Sequence, residues 1–173
     1  MRAHKVIVLG DFGVGKTSLI RRYVLDQFSD QYRATLGVHL YKHTDTIPIA
    51  GTDQEVRLVL WDIEGAPLPG EQMMRYSLGA SGAIIVGDLT RPDMAEPMRS
   101  AADMVEARLP GRPIGFALNK CDIAPTPDDA TMAALKDRYG ASIACTSAKT
   151  GDAVPALFRE VTERLIRGKA GST

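Results

Sequence analysis

The chain reads as an α/β protein: a mainly parallel six-stranded sheet with one antiparallel edge strand and helices on both faces. Three observations predict it. Continuous apolar runs such as Val6-Ile7-Val8-Leu9 and Ala83-Ile84-Ile85-Val86 suit strands covered on both sides. Segments with apolar residues at helical spacing alternate with those runs. A glycine-rich turn directly follows the first run and opens a helical segment. The 173 residues suit a single domain spanning 1–173.

Taken in order, residues 5–9 form a buried strand and residues 17–25 a helix. Residues 38–49 and 55–61 read as two strands joined by a turn around Ala50-Gly51-Thr52-Asp53, which supplies the antiparallel edge. In the second, Val56, Leu58 and Leu60 alternate with Arg57, Val59 and Trp61, so one side packs inward. Residues 82–86 are another buried strand. Met94, Met98, Ala101, Ala102, Val105 and Leu109 recur at helical spacing and read as a core-facing stripe. A strand over 113–118, a helix over 128–138 and a short strand over 142–145 follow. The last helix takes Asp152 as N-cap and Pro155 in its first turn, with an apolar face of Val154, Leu157, Phe158, Val161 and Leu165. No repeat, linker or low-complexity tract interrupts the pattern. Ligands of such sheets bind beyond the carboxyl ends of the strands, and each motif below follows a strand.

Charge and cysteine content narrow the function classes. With 21 basic and 21 acidic residues the net charge is zero, whereas a general nucleic-acid binder carries a basic excess. Arg21-Arg22 and the spaced Arg164, Arg167 and Lys169 read as solvated helix faces. Cys121 and Cys145 belong to no CxxC pair or histidine cluster and read as reduced, half-buried thiols rather than metal ligands. The four apolar residues after Lys5 are too few for a signal core or a membrane span. Arg2 does not allow myristoylation, and the last ten residues hold no cysteine for prenylation. The expectation is a soluble cytoplasmic monomer with no direct membrane anchor.

Gly10-Asp11-Phe12-Gly13-Val14-Gly15-Lys16-Thr17 fits G-x-x-x-x-G-K-[ST] between a strand and a helix, the setting that motif requires. Its glycines let successive N–H groups turn inward as an anion nest, and the positive end of the helix adds to that field. Gly13, Val14 and Gly15 thus face phosphate, Lys16 reaches the β- and γ-phosphates, the Thr17 hydroxyl ligates Mg²⁺, and Ser18 completes the nucleotide-binding stretch. A plain glycine-rich turn would not call for Lys-Thr.

Two later segments select the base. In Asn119-Lys120-Cys121-Asp122, the aspartate can accept from both N1–H and the exocyclic amine of guanine. Adenine would leave that carboxylate unpaired, a loss of about 1–3 kcal/mol or more. In Thr146-Ser147-Ala148-Lys149, the Ala148 N–H can serve guanine O6. Either tetrad alone is an ordinary loop composition. Together, in this order after the phosphate loop, they specify a guanine nucleotide.

On these residues the chain resembles the Ras superfamily of small GTPases, most closely its Rab branch, from Val6 to Ile166. Further markers are Tyr32-Arg33-Ala34-Thr35-Leu36-Gly37-Val38, Trp61-Asp62-x-x-Gly65, Ser147-Ala148-Lys149-Thr150-Gly151 and Leu157-Phe158. The resemblance implies a P-loop G domain. It implies that Thr35 completes Mg²⁺ coordination and, with Lys16, serves catalysis. Asp62 would hold a Mg²⁺-bound water, and the Gly65 N–H would touch the γ-phosphate. Phe28 would pack on guanine, which Asn119, Lys120, Asp122, Ser147, Ala148 and Lys149 would bind. It further implies a switch: γ-phosphate orders two loops, here about 26–37 and 63–77, and hydrolysis releases them. Effectors, an exchange factor and an activating protein would read those loops, helped by Leu40, Trp61 and Tyr76. Leu40 and His39 stand where relatives carry phenylalanine and aspartate.

Two departures bear on chemistry. In Ile63-Glu64-Gly65-Ala66, Ala66 takes the place of the glutamine that orients the attacking water. Phe12 places a phenyl ring at a loop position normally small, where it crowds the γ-phosphate or an entering arginine. The expectation is a protein that binds GTP and GDP with Mg²⁺ and hydrolyses GTP slowly. Arg33, Glu64, Glu71 and Gln72 are internal candidates for the missing group. The alternative is a pseudo-GTPase that holds nucleotide without turnover. An adenine-specific ATPase or kinase is disfavoured by Asn119-Lys120-x-Asp122.

Overall fold

The computed structural model of the protein describes residues 3–29, 37–49, 51–63 and 70–168. In chain order the elements are β1 (Ala3–Leu9), α1 (Lys16–Leu25), β2 (Val38–Ile49), β3 (Thr52–Ile63), α2 (Gly70–Ser77), β4 (Gly82–Asp88), α3 (Ala95–Arg108), β5 (Ile114–Asn119), α4 (Asp129–Tyr139), β6 (Ser142–Thr146) and α5 (Val154–Arg167). The sheet runs β2-β3-β1-β4-β5-β6. β1 lies parallel to β3 and β4, and β5 parallel to β4 and β6. Among the described residues only the edge strand β2 is antiparallel, paired with β3 from Val38↔Ile63 to Ile49↔Thr52. Pro48 is tolerated there because an edge strand has a side that needs no ladder N–H.

The alternation of side chains along β1 divides the core in two. Val6 and Val8 join Leu58, Leu60, Ile84 and Val86 under α1 and α5, which contribute Leu19, Ile20, Leu157, Phe158 and Val161. Ile7 and Leu9 join Ile85, Phe116 and Leu118 on the opposite face under α2, α3 and α4, where Met73, Met98, Ala102, Val105 and Leu135 pack. Each such buried Val, Leu, Ile, Phe or Met side chain contributes about 1.5–3 kcal/mol of transfer free energy. Both layers are needed because a parallel sheet has no face that can be left to water. Among the described residues no helix is long and apolar enough to cross a membrane.

Several local expectations differ from the structure. β3 begins at Thr52, not at residue 55. Residues 52–55 are exposed, so they carry no hydrophobic signal, yet the ladder continues through them. α2 lies inside the stretch read as a loop; it is short and buries only Met73 and Ser77. The N-cap of α5 is Ala153 with φ 54°, not Asp152. Asp152 is engaged in the preceding loop, where its carboxylate accepts from Thr150 Oγ1 at 2.8 Å and its carbonyl from the Ser147 N–H at 3.1 Å. Nor are Arg22 and Arg164 solvated. Arg164 donates to the carbonyls of Ile114 and Gly140 at 3.3 and 2.5 Å, bridging β5 and the α4–β6 turn.

Candidate functional site

The glycine-rich turn leaves β1 and enters α1 at the carboxyl edge of the sheet. Gly10 and Gly15 are there for space as well as conformation. At φ 144° and 98°, a Cβ on Gly10 would lie 2.2 Å from the Val86 carbonyl oxygen, and one on Gly15 would lie 2.4 Å from Asn119 Nδ2. Gly15, in the left-handed region, is the N-cap of α1 and, being glycine, supplies no side-chain cap. A helix start without a side-chain acceptor presents its N–H groups to an anion. Lys16 is only 6% exposed. Its Nζ donates to the carbonyls of Gly10 and Asp11, each at 2.9 Å, so the ammonium is folded over its own loop. Ser18 is half-buried in the first turn of α1.

Across the loop, Thr17 Oγ1 donates to Asp62 Oδ2 at 2.6 Å. Asp62, the penultimate residue of β3, is fully buried, while its Oδ1 has no hydrogen-bond partner among the described residues. Burial pushes its carboxyl above the ordinary carboxylate range, against the Thr17 hydrogen bond and the nearby Lys16 charge, which act the other way. A buried carboxylate oxygen lacking a donor beside a hydroxyl is an all-oxygen donor set, and it fits a hard divalent cation such as Mg²⁺.

The second half of the site lies beyond β5 and β6, whose register pairs Asn119 with Thr146. Asn119 Nδ2 donates to the Val14 carbonyl at 2.9 Å, and its Oδ1 accepts from the Ala148 N–H at 3.1 Å. Asp122 accepts from Ser147 Oγ at 2.7 Å; the aspartate is exposed and the serine buried. Lys120, at φ 70°, donates to Asp88 Oδ2 at 2.5 Å and to the Gly13 carbonyl at 3.3 Å. Phe28 is half-buried against the core side shared by α1 and α5. Lys149 is exposed, and its carbonyl accepts from Arg22.

Of the residues expected in the site, Thr35 and Gly65 lie outside the described residues, as do Arg33, Glu64 and Ala66. Glu71 and Gln72 are exposed on α2. Phe12 is 54% exposed on the glycine-rich loop. Leu40 sits opposite Trp61 in the β2–β3 register, and the Trp61 and Tyr76 rings are 6.4 Å apart. The half-buried state expected of Cys121 and Cys145 is what the structure has.

Sequence reasoning missed Arg22, Asp88 and Arg91. Arg22, read as solvated, donates Nε to the Ala148 carbonyl at 2.9 Å and Nη2 to the Lys149 carbonyl at 2.6 Å, while Nη1 pairs with Asp26 at 2.9 Å. It ties the end of α1 to the loop that presents the Ala148 N–H. Asp88, buried at the end of β4, gathers Lys120 and Arg91. An aspartate closing an apolar strand beside the strand that ends in Asn119 was the available signal.

Comparison with known proteins places these features in company. The Ras family model matches residues 5–167. The chain is 33% identical over 168 residues to the Ras-related protein RABF2b of Arabidopsis thaliana, covering 94% of this chain and 81% of that one. It is 34% identical to the GTP-binding protein ypt5 of Schizosaccharomyces pombe over 93% of this chain and 77% of the relative. To human Ras-related protein Rab-32 it is 40% identical, over 68% of this chain and 53% of that protein.

Proposed function

The chain belongs to the Ras family of small GTP-binding switches, close to its Rab branch, and from that premise we propose that it binds GTP and GDP with Mg²⁺ and hydrolyses GTP slowly. The observation that most supports this reading is the Asn119 carboxamide, which bonds to both the phosphate loop and the Ala148 loop. The two loops are thereby held as one cradle for the two ends of a single nucleotide. Gly13, Val14 and Gly15 cradle the phosphates, with Lys16 released from its loop carbonyls to the β- and γ-phosphates. Asp122, oriented by Ser147, accepts from the guanine edge, and the Ala148 N–H, which donates to Asn119 Oδ1 in the structure, turns to O6, with its loop held in place by Arg22 on the Ala148 carbonyl. Thr17 and Asp62, with Thr35, are the residues that would hold Mg²⁺, which when bound neutralises charge between the β- and γ-phosphates.

Slow turnover follows from Ala66, whose methyl group cannot position a water, and from the exposed Phe12 ring beside the phosphate loop. A partner's arginine is worth roughly 10³–10⁵ in rate in such enzymes, so an activating protein sets the lifetime of the GTP state. Leu40, Trp61 and Tyr76 offer effectors an apolar surface between the two switch segments. The same two departures favour the second reading, a nucleotide-holding module without turnover. The nucleotide that co-purifies, followed by single-turnover hydrolysis of bound GTP, tests both. Bound guanine nucleotide with measurable phosphate release supports the switch. Bound GTP that persists unhydrolysed supports the module, and a preference for ATP in competition overturns both.

A further inference from the structure

We propose that Arg91, outside every nucleotide-binding motif, is a positioning residue that holds the 12–13 peptide so that the Gly13 N–H faces the phosphate; this rests on the guanine-nucleotide reading of the site. Three consecutive loop carbonyls are each held by a side chain from elsewhere in the fold. Arg91 Nη2 donates to the Phe12 carbonyl at 2.7 Å, Lys120 Nζ to that of Gly13 at 3.3 Å and Asn119 Nδ2 to that of Val14 at 2.9 Å. In a trans peptide the N–H points opposite to the C=O of the same unit, and no cis peptide bond is present among the described residues. Fixing those carbonyls on one side therefore directs the N–H groups of Gly13, Val14 and Gly15 to the other. An anion nest needs that arrangement. Lys120 and Asn119 belong to the base-reading tetrad, whereas Arg91 lies in the turn between β4 and α3.

The guanidinium is itself held. Arg91 Nε lies 3.5 Å from Asp88 Oδ2, which also receives Lys120 at 2.5 Å. Asp88 Oδ1 accepts from the Thr90 N–H and hydroxyl at 2.9 and 2.6 Å. The Arg91 N–H closes the turn onto the Asp88 carbonyl at 3.0 Å. One buried carboxylate thus orients both cations that grip the loop. A Cβ on Gly13 would lie 3.2 Å from Arg91 Nη2, so the guanidinium lies against the loop wall. The planar fork of arginine can serve a carboxylate and a carbonyl at once, and a charged donor makes the stronger hydrogen bond. The Phe12 ring is too exposed to anchor this peptide in the core.

Release of a fluorescent GDP from the 173-residue chain tests the proposal, with Arg91→Ala and Arg91→Lys beside the wild type. Alanine is expected to speed release about tenfold, the effect of losing one charge-assisted hydrogen bond. Lysine, which keeps a donor and the charge facing Asp88, is expected to restore most of the retention. Preference for GDP over IDP, whose base lacks the 2-amino group, is expected to stay unchanged, because the base end is not held by Arg91. A general loosening of the fold would move both readouts. Release by the alanine variant within about twofold of wild type, or a collapse of the base preference with it, overturns the inference. If the alanine variant does not fold, Arg91→Gln is read the same way. A wild-type chain that retains no guanine nucleotide overturns the reading of the site itself, before any variant is compared.

Discussion

Asn119 and Val14, 105 positions apart in sequence, are joined by a hydrogen bond of 2.9 Å from the Asn119 amide to the Val14 carbonyl. The other end of the same carboxamide accepts from the Ala148 N–H, and the side chain is almost fully buried. One side chain therefore sets the separation between the glycine-rich loop and the Ala148 loop, the proposed phosphate and base ends of the site. Asn119→Ala leaves two buried backbone groups without partners, at about 1–3 kcal/mol each. The expected result is a lower melting temperature together with weaker binding of GDP, measured by thermal unfolding and equilibrium titration. Unchanged affinity would refute the bridging role.

On the proposed reading Lys16 and Asp122 act on opposite ends of the nucleotide, so their variants are expected to fail differently. Lys16→Ala abolishes measurable triphosphate binding. Asp122→Asn weakens discrimination of GTP over ATP by about tenfold or more, from the loss of a charged acceptor, with a smaller change in phosphate affinity. Competition titrations with both nucleotides separate the two. An Asp122→Asn protein that still prefers guanine as strongly as the wild type would show that another group reads the base.

Asp88 makes the fold sensitive to acid. Burial alone would push its carboxyl up, but the hydrogen bonds from Lys120 and Thr90 outweigh it and hold the group below the usual carboxylate range. Its folded value therefore lies below the unfolded one, near about 3.9. The stability it contributes is complete above that pH and is lost as pH falls through the folded value. Asp88→Asn is expected to melt lower at neutral pH and to show a shallower decline as pH falls below about 4. Thermal unfolding across that range checks it, and parallel profiles for the two proteins count against the assignment.

Ala66→Gln is expected to raise single-turnover GTP hydrolysis about tenfold or more, equivalent to ~1.4 kcal/mol of barrier. The gain requires that the missing water-orienting amide limits the rate. No gain would point to Phe12 or to a different internal residue, and Phe12→Gly in the same background distinguishes these.

What could be read from the residues alone was whatever is local or periodic. The buried strands announce themselves by unbroken apolar runs, and α5 by Val154, Leu157, Phe158, Val161 and Leu165 at helical spacing. The phosphate and base motifs are contiguous stretches whose chemistry belongs to their own residue types. Because each follows a strand of one parallel sheet, even their convergence on one edge was foreseeable. Tertiary structure alone decided which side chains hold those stretches in place. Arg22 resembles any helix-surface arginine until the Ala148 loop arrives 126 positions later to accept from it. Asp152 resembles an N-cap until Thr150 and Ser147 engage it. Arg91 belongs to no pattern, since a hydrogen bond to a distant carbonyl leaves no spacing in the chain, and Asp88 shows only as a strand-closing aspartate, with nothing to say which cations it gathers. Periodicity records which face of an element is buried; the partners of a polar group are set only when separate elements meet.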